Sequence, residues 1–74
     1  MTDRQPQLPS DRVAAELRAR IKAGEWKADE RLPPVKTLAD QHGTSRATMT
    51  KALHRLSSEG LVVIIASWGV FRAP

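Results

Sequence analysis

The side chains best suited to chemistry lie close together. Between Thr44 and Ser58 the chain carries Arg46, Lys51 and Arg55 and the hydroxyls of Ser45, Thr48 and Thr50, with no acidic residue among them. Guanidinium, ammonium and hydroxyl groups donate hydrogen bonds to phosphate oxygens and base edges, and the methyl groups of Ala47 or a threonine can meet the methyl of thymine. An ordinary solvent-facing stretch usually mixes charge signs, so the bias points to an anionic partner. For any one of these residues alone, a solvated helix face is the competing reading. Other chemistries are short of reagents. The chain has no cysteine, which removes disulfides and thiolate metal sites. Its two histidines, His42 and His54, cannot make a zinc ligand set and read as surface residues. There is no nucleophile with a base and an orienting group, and no glycine loop for phosphate. An enzyme is therefore not expected, nor a metal or other cofactor.

The overall charge of +4 is modest evidence for a polyanionic partner, and its distribution says more. Residues 1–31 hold seven basic and six acidic side chains, whereas residues 32–58 hold Lys36, Arg46, Lys51 and Arg55 against Asp40 alone. The excess sits in the middle of the chain. At 74 residues the chain is one domain near the lower size limit for a core without staples, so packing must hold it. Its 41% hydrophobic content is enough for that. No apolar run approaches the ~20 residues of a membrane helix, and Met1 to Pro9 lacks the apolar centre of a secretory signal. A cytoplasmic protein with no membrane partner is expected.

Several elements are needed to position the basic stretch. Residues 1–9 show no periodicity and read as a disordered arm, leaving 10–74 as the folded domain. Ser10 or Asp11 can cap a first helix over about 11–23, with Pro9 just outside, the stripe Val13, Ala14, Leu17, Ile21, and Gly24 as its stop. Gly24 to Pro34 reads as a connector whose Trp26 and Leu32 fold back onto the core. The Pro33-Pro34 pair can open a second helix running to Gln41, with Val35, Leu38 and Ala39 buried. His42-Gly43-Thr44 makes a tight turn, and Ser45 caps a third helix over about 46–59. That helix buries Met49, Ala52, Leu53 and Leu56 and presents Ala47, Thr50, Lys51 and His54 on the opposite face, flanked by Arg46 and Thr48. Leu61 to Ile65 is β-branched and short, Ser67-Trp68-Gly69 can turn, and Val70-Phe71-Arg72 can return as its partner strand.

Two short helices joined by a glycine-containing turn form a helix-turn-helix, whose second helix enters the major groove with its N-terminal residues toward base edges. Leu32-Pro33, Leu38-Ala39, Gly43, Ser45-Arg46, Ala52-Leu53, Leu56 and Glu59-Gly60-Leu61-Val62 together resemble the GntR (gluconate-repressor-like) domain. Ile21 to Trp26 matches that family's first-helix ending, and the resemblance covers about residues 10–73. It implies an α+β winged helix-turn-helix of three helices and a C-terminal two-stranded hairpin wing.

The resemblance also implies a role: sequence-specific binding of double-stranded DNA by a transcriptional regulator, most commonly a repressor, with two copies on a pseudo-palindromic site. Its contact residues fall on Lys36, Ser45, Arg46, Ala47, Thr48 and Thr50. Arg46 and Thr50 would approach base edges, and Lys36 and Arg55 would hold phosphates. Thr50 stands where the family often has arginine, a charge that neighbouring Lys51 can replace. Two departures stand out. Pro34 takes the place of the usual serine cap of the second helix, and the wing is apolar where arginines and glycines are common. Val63, Ile65 and Trp68 therefore carry two readings, a protein-binding wing with weak or no DNA binding, or an enlargement of a small core. The family's usual C-terminal effector-sensing domain is not expected in this chain, so no small-molecule effector is expected for it alone.

Overall fold

The computed structural model describes residues 8–74. The expected arm over 1–9 falls mostly outside them. In chain order the elements are α1 (Pro9–Lys22), α2 (Val35–Gln41), α3 (Arg46–Ser58), β1 (Val62–Ile65) and β2 (Gly69–Arg72).

Helix α1 begins earlier than the cap signals suggest. Neither Ser10 nor Asp11 caps it; Leu8 is the N-cap residue, with no side-chain cap, and Pro9 occupies the first turn. Proline suits that place because its missing N–H has no partner there in any case and its φ is already helical. Asp11 in the first turn, with Arg20 and Lys22 in the last, complements the helix dipole. Helix α2 likewise has no side-chain cap at Pro34. It is only seven residues long and is held by burial of Leu38 and Ala39. It stops where Thr44 donates to the Ala39 carbonyl at 2.9 Å and Gly43 to that of Asp40 at 3.2 Å. This closure needs the left-handed φ of +62° found at Gly43, which a side chain would strain.

The core joins every element. Val13, Leu17 and Ile21 of α1 meet Leu38 of α2 and Met49, Leu53 and Leu56 of α3, with Trp26 and Leu32 folding in from the connector. Burying each large apolar side chain contributes about 1.5–3 kcal/mol, which is how so short a chain holds α3 without staples. The hairpin adds only Val62 and Val70 to this core. Val63, Ile64, Ile65 and Trp68 are exposed at 40%, 36%, 44% and 69%. Val63, Ile65 and Trp68 thus lie outside the buried core: the register of β1 turns Val63 and Ile65 to the face opposite Val62 and Val70.

Strands β1 and β2 pair antiparallel, Val62 with Arg72, Val63 with Phe71, Ile64 with Val70 and Ile65 with Gly69. The turn between them closes with Trp68 N–H donating to the Ile65 carbonyl at 3.0 Å, with Ser67 at φ 71°. The connector is more than a link. Arg31 bridges antiparallel to Phe71. Around it Asp29 donates to the Arg72 carbonyl at 2.9 Å, Leu32 to that of Val70 at 2.8 Å, and Arg72 to that of Glu30 at 2.8 Å. Backbone bonds thus fasten the segment between α1 and α2 to the free edge of β2 through a single-residue bridge.

Candidate nucleic-acid interface

Helix α3 is set by its buried stripe, Met49, Ala52, Leu53 and Leu56, which fixes what the other side shows. Arg46, Ala47, Thr50, Lys51 and His54 are all exposed, and Thr48 is half-buried. Ser45 caps the helix as expected. Its Oγ accepts from the Thr48 N–H at 3.1 Å and donates to Thr48 Oγ1 at 3.0 Å. Because Oγ1 accepts in that pair, the Thr48 hydroxyl proton is left to donate elsewhere.

The first turn of α3 has no acidic residue and carries Arg46 instead. A cation at the positive end of a helix works against the fold by about 0.3–1 kcal/mol. Among the described residues, Arg46 and Lys51 take part in no ion pair. Their charges are available to an anion from outside.

The other basic candidates are engaged. Lys36 Nζ lies 3.3 Å from Asp40 Oδ2 one turn along α2, an exposed pair whose strength is at most about 1 kcal/mol and so is readily exchanged. Arg55 pairs through Nη1 with Asp11 and through Nε with Glu59 at 3.7 Å, tying α3 to α1. Arg18 adds a two-pronged pair to Glu59 at 2.8 and 2.7 Å, which holds that carboxyl below its ordinary value.

His42 is not a surface residue. Its side chain is only 8% exposed and closes the helix-turn-helix turn against α1. Nδ1 lies 2.7 Å from Glu16 Oε1 and Nε2 lies 3.0 Å from Arg20 Nη1. A guanidinium can only donate, so Nε2 accepts and Nδ1 donates to Glu16. The hydrogen bond from His42, then that from Arg12, holds the Glu16 carboxyl below its ordinary value. Arg20 also donates to Gln41 Oε1 at 3.0 Å and to Glu25, and its guanidinium stacks 4.7 Å from the Trp26 ring centre. This cluster positions the turn, and with it the start of α3. Its sole sequence signal is the i, i+4 spacing of Glu16 and Arg20, which does not reveal a histidine packed from another helix.

Among the described residues no group of His, Asp and Glu could hold a metal ion, and no helix is long and apolar enough to cross a membrane. The candidate surface is a convex helix face with a hairpin beside it. Three helices, a glycine turn and an apolar two-stranded wing define a winged helix-turn-helix domain.

Residues 9–71 match the gntR family of bacterial regulatory proteins, and the chain belongs to that family. It is similar to the HTH-type transcriptional regulator TreR of Bacillus subtilis (strain 168), at 43% identity over 57 residues, 77% of this chain and 24% of that protein. The histidine utilization repressor of Klebsiella aerogenes is 35% identical over 63 residues, 85% of this chain and 26% of its own length. The chain thus spans about a quarter of the length of these curated relatives. Among solved structures, AraR(DBD) in complex with operator ORE1 superposes with a TM-score of 0.87 at 29% identity, over 99% of this chain and 89% of that one.

Proposed function

We propose that this domain binds double-stranded DNA sequence-specifically, with α3 in the major groove, as the DNA-reading part of a transcriptional repressor in the cytoplasm. The observation that carries this is the exposed, acid-free face of α3, where Arg46 at the helix's positive end and Lys51 one turn further on stand without a counter-charge. Similarity to a domain solved on its operator supports the DNA partner, and a relative named as a repressor supports the direction of control.

In this arrangement Arg46 and Thr50 approach base edges. Ser45, Ala47, Thr48 and Lys51 line the same contact, and Lys36 on α2 exchanges Asp40 for a phosphate. Arg55 can reach a phosphate only by releasing Asp11 and Glu59, so its first task is to brace α3 on α1. Two copies on a pseudo-palindromic site would match protein symmetry to operator symmetry.

Selection of duplexes from a randomised library, followed by anisotropy titration of the winner at 50 and 200 mM salt, tests this. A domain neutralising several phosphates weakens steeply over that interval. Binding that does not change with salt, or no enriched sequence, would overturn it. A second reading rests on the exposure of Val63, Ile64, Ile65 and Trp68: a protein-binding wing with weak or absent DNA affinity. Self-association or partner capture through the hairpin, without duplex binding, would favour that one.

A further inference from the structure

The wing is short of charge. No charged residue occurs from Val62 to Val70, and Arg72 closes β2. Strand alternation separates the two faces of the hairpin. Val70 is buried and Arg72 shares its face, where Arg72 Nε is buried without a partner. The hairpin's own cation is therefore turned inward. The opposite face carries Val63, Ile65, Gly69 and Phe71, cross-strand neighbours in the register of β1 and β2.

Arg31 joins that outer face from the connector. It pairs with Phe71, while the next residue, Leu32, turns into the core at 2% exposure. Its guanidinium is laid directly on Gly69: a Cβ there would stand 2.9 Å from Arg31 Nε and 3.2 Å from Nη2. Gly69 also holds a φ of +122°, so the backbone calls for glycine at this point, and the bare main chain leaves room for the guanidinium above it. Arg31 is exposed, and among the described residues it enters no ion pair. Its position is fixed by main-chain bonds on both sides, from Leu32 to Val70 and from Arg72 to Glu30.

We propose that Arg31, seated on Gly69 by strand pairing, is the wing's DNA contact and holds a backbone phosphate beside the hairpin while Val63 and Ile65 lie against the sugars. The proposal rests on the duplex-binding function above and adds a contact remote in sequence from the helix-turn-helix. A planar guanidinium matches a phosphate's paired oxygens, and the main-chain bonds fix the backbone from which it reaches.

The test uses the duplex selected by the parent chain and the variants Arg31→Gln and Arg31→Lys, with melting by circular dichroism recorded for each. One phosphate contact contributes about 0.9 to the slope of log K against log salt in duplex DNA. Arg31→Gln should lower the slope by that amount, so that its affinity deficit shrinks about 3.5-fold between 50 and 200 mM salt. Arg31→Lys should keep the parent slope. Duplexes bearing single methylphosphonates then locate the contact. One neutralised phosphate should weaken the parent and Arg31→Lys yet leave Arg31→Gln unaffected.

A parent slope in Arg31→Gln, or no methylphosphonate whose effect vanishes with Arg31, overturns the proposal while duplex binding by the parent stands. If Arg31→Gln melts too low to titrate, the methylphosphonate scan on the parent and Arg31→Lys decides: a weakened position beside those contacted by α3 supports the contact, and none refutes it. A parent that binds no duplex removes the function on which the proposal rests.

Discussion

Replacing Ser45 by alanine and by aspartate separates what holds α3 from what α3 meets. Ser45 Oγ accepts from the Thr48 N–H at 3.1 Å and donates to Thr48 Oγ1 at 3.0 Å. Alanine removes both bonds, and loss of an N-cap side chain costs about 0.5–2 kcal/mol. In a domain of this size 1 kcal/mol corresponds to about 4–8 °C in Tm, so Ser45→Ala should melt about 2–16 °C lower. Aspartate keeps the acceptor and adds about 0.3–1 kcal/mol of favourable interaction with the helix's positive end. Since the first turn of α3 has no acid of its own, that gain is not already taken. Ser45→Asp should therefore melt at or above the parent.

On DNA the order changes. A negative charge beside the phosphates offsets about one cationic contact, lowering the salt slope by roughly 0.9 and the affinity at low salt by an order of magnitude or more. Thermal melting by circular dichroism and anisotropy titration of the same three proteins read the two quantities independently. Aspartate that stabilises the fold and binds duplex as tightly as serine would show that the start of α3 does not face DNA.

Arg46→Ala should cost about 1–3 kcal/mol on the selected duplex and relax preference at a single base position, whereas Lys36→Ala should weaken all duplexes about equally and lower the salt slope by about one; binding arrays for each variant distinguish the patterns. Trp68→Ser should leave Tm nearly unchanged, because Trp68 is 69% exposed and lies outside the buried core; a marked fall in Tm would place it in the core. Acid should destabilise the domain within a defined window. Glu16 (bonded to His42, then Arg12), Glu25 (to Arg20) and Glu59 (to Arg18) are all held below the ordinary glutamate value near 4.5. Groups lowered in the folded state contribute stability that is complete above that value and lost as pH falls through their folded values. Tm should thus stay level on that account from pH 7 to about 5 and fall below it, and Arg18→Gln should flatten the fall by reducing the Glu59 share, part of which Arg55 retains; a parent curve level to pH 3 would refute the pairing.

What the sequence disclosed was local. Spacing at i, i+3, i+4 and i+7 marks Met49, Ala52, Leu53 and Leu56, and burial of that stripe alone settles which way Arg46 and Lys51 face. Ser45 and Gly43 announce themselves because cap and turn chemistry acts within a few residues. Ser10 and Asp11 are the stronger cap signals by type, yet Pro9 opens α1, because its fixed φ is already helical and it has no N–H to satisfy. The longer-range pairings left no trace in one chain's sequence. Asp11 finds Arg55, Glu16 finds His42, and main-chain bonds join residues 29–32 to β2, a contact that places no demand on side-chain type. The apolar wing was visible as composition, but its two readings differed only in where the strands ended relative to the helices.

The strand pairing between connector and β2 divides the labour within the wing. Its placement is inherited from the main chain and from Leu32, Val62 and Val70, which lie inside. From Val63 to Trp68 the main chain carries the ladder and the turn, while the side chains of Val63, Ile64, Ile65 and Trp68 stay exposed. Substitutions at these exposed side chains therefore change what the wing presents and leave in place the scaffold that presents it. The hairpin is joined to both halves of the helix-turn-helix, through Leu32 to the prolines before α2 and through Leu61 and Val62 to the end of α3, so a partner held at the tip bears on the two helices together.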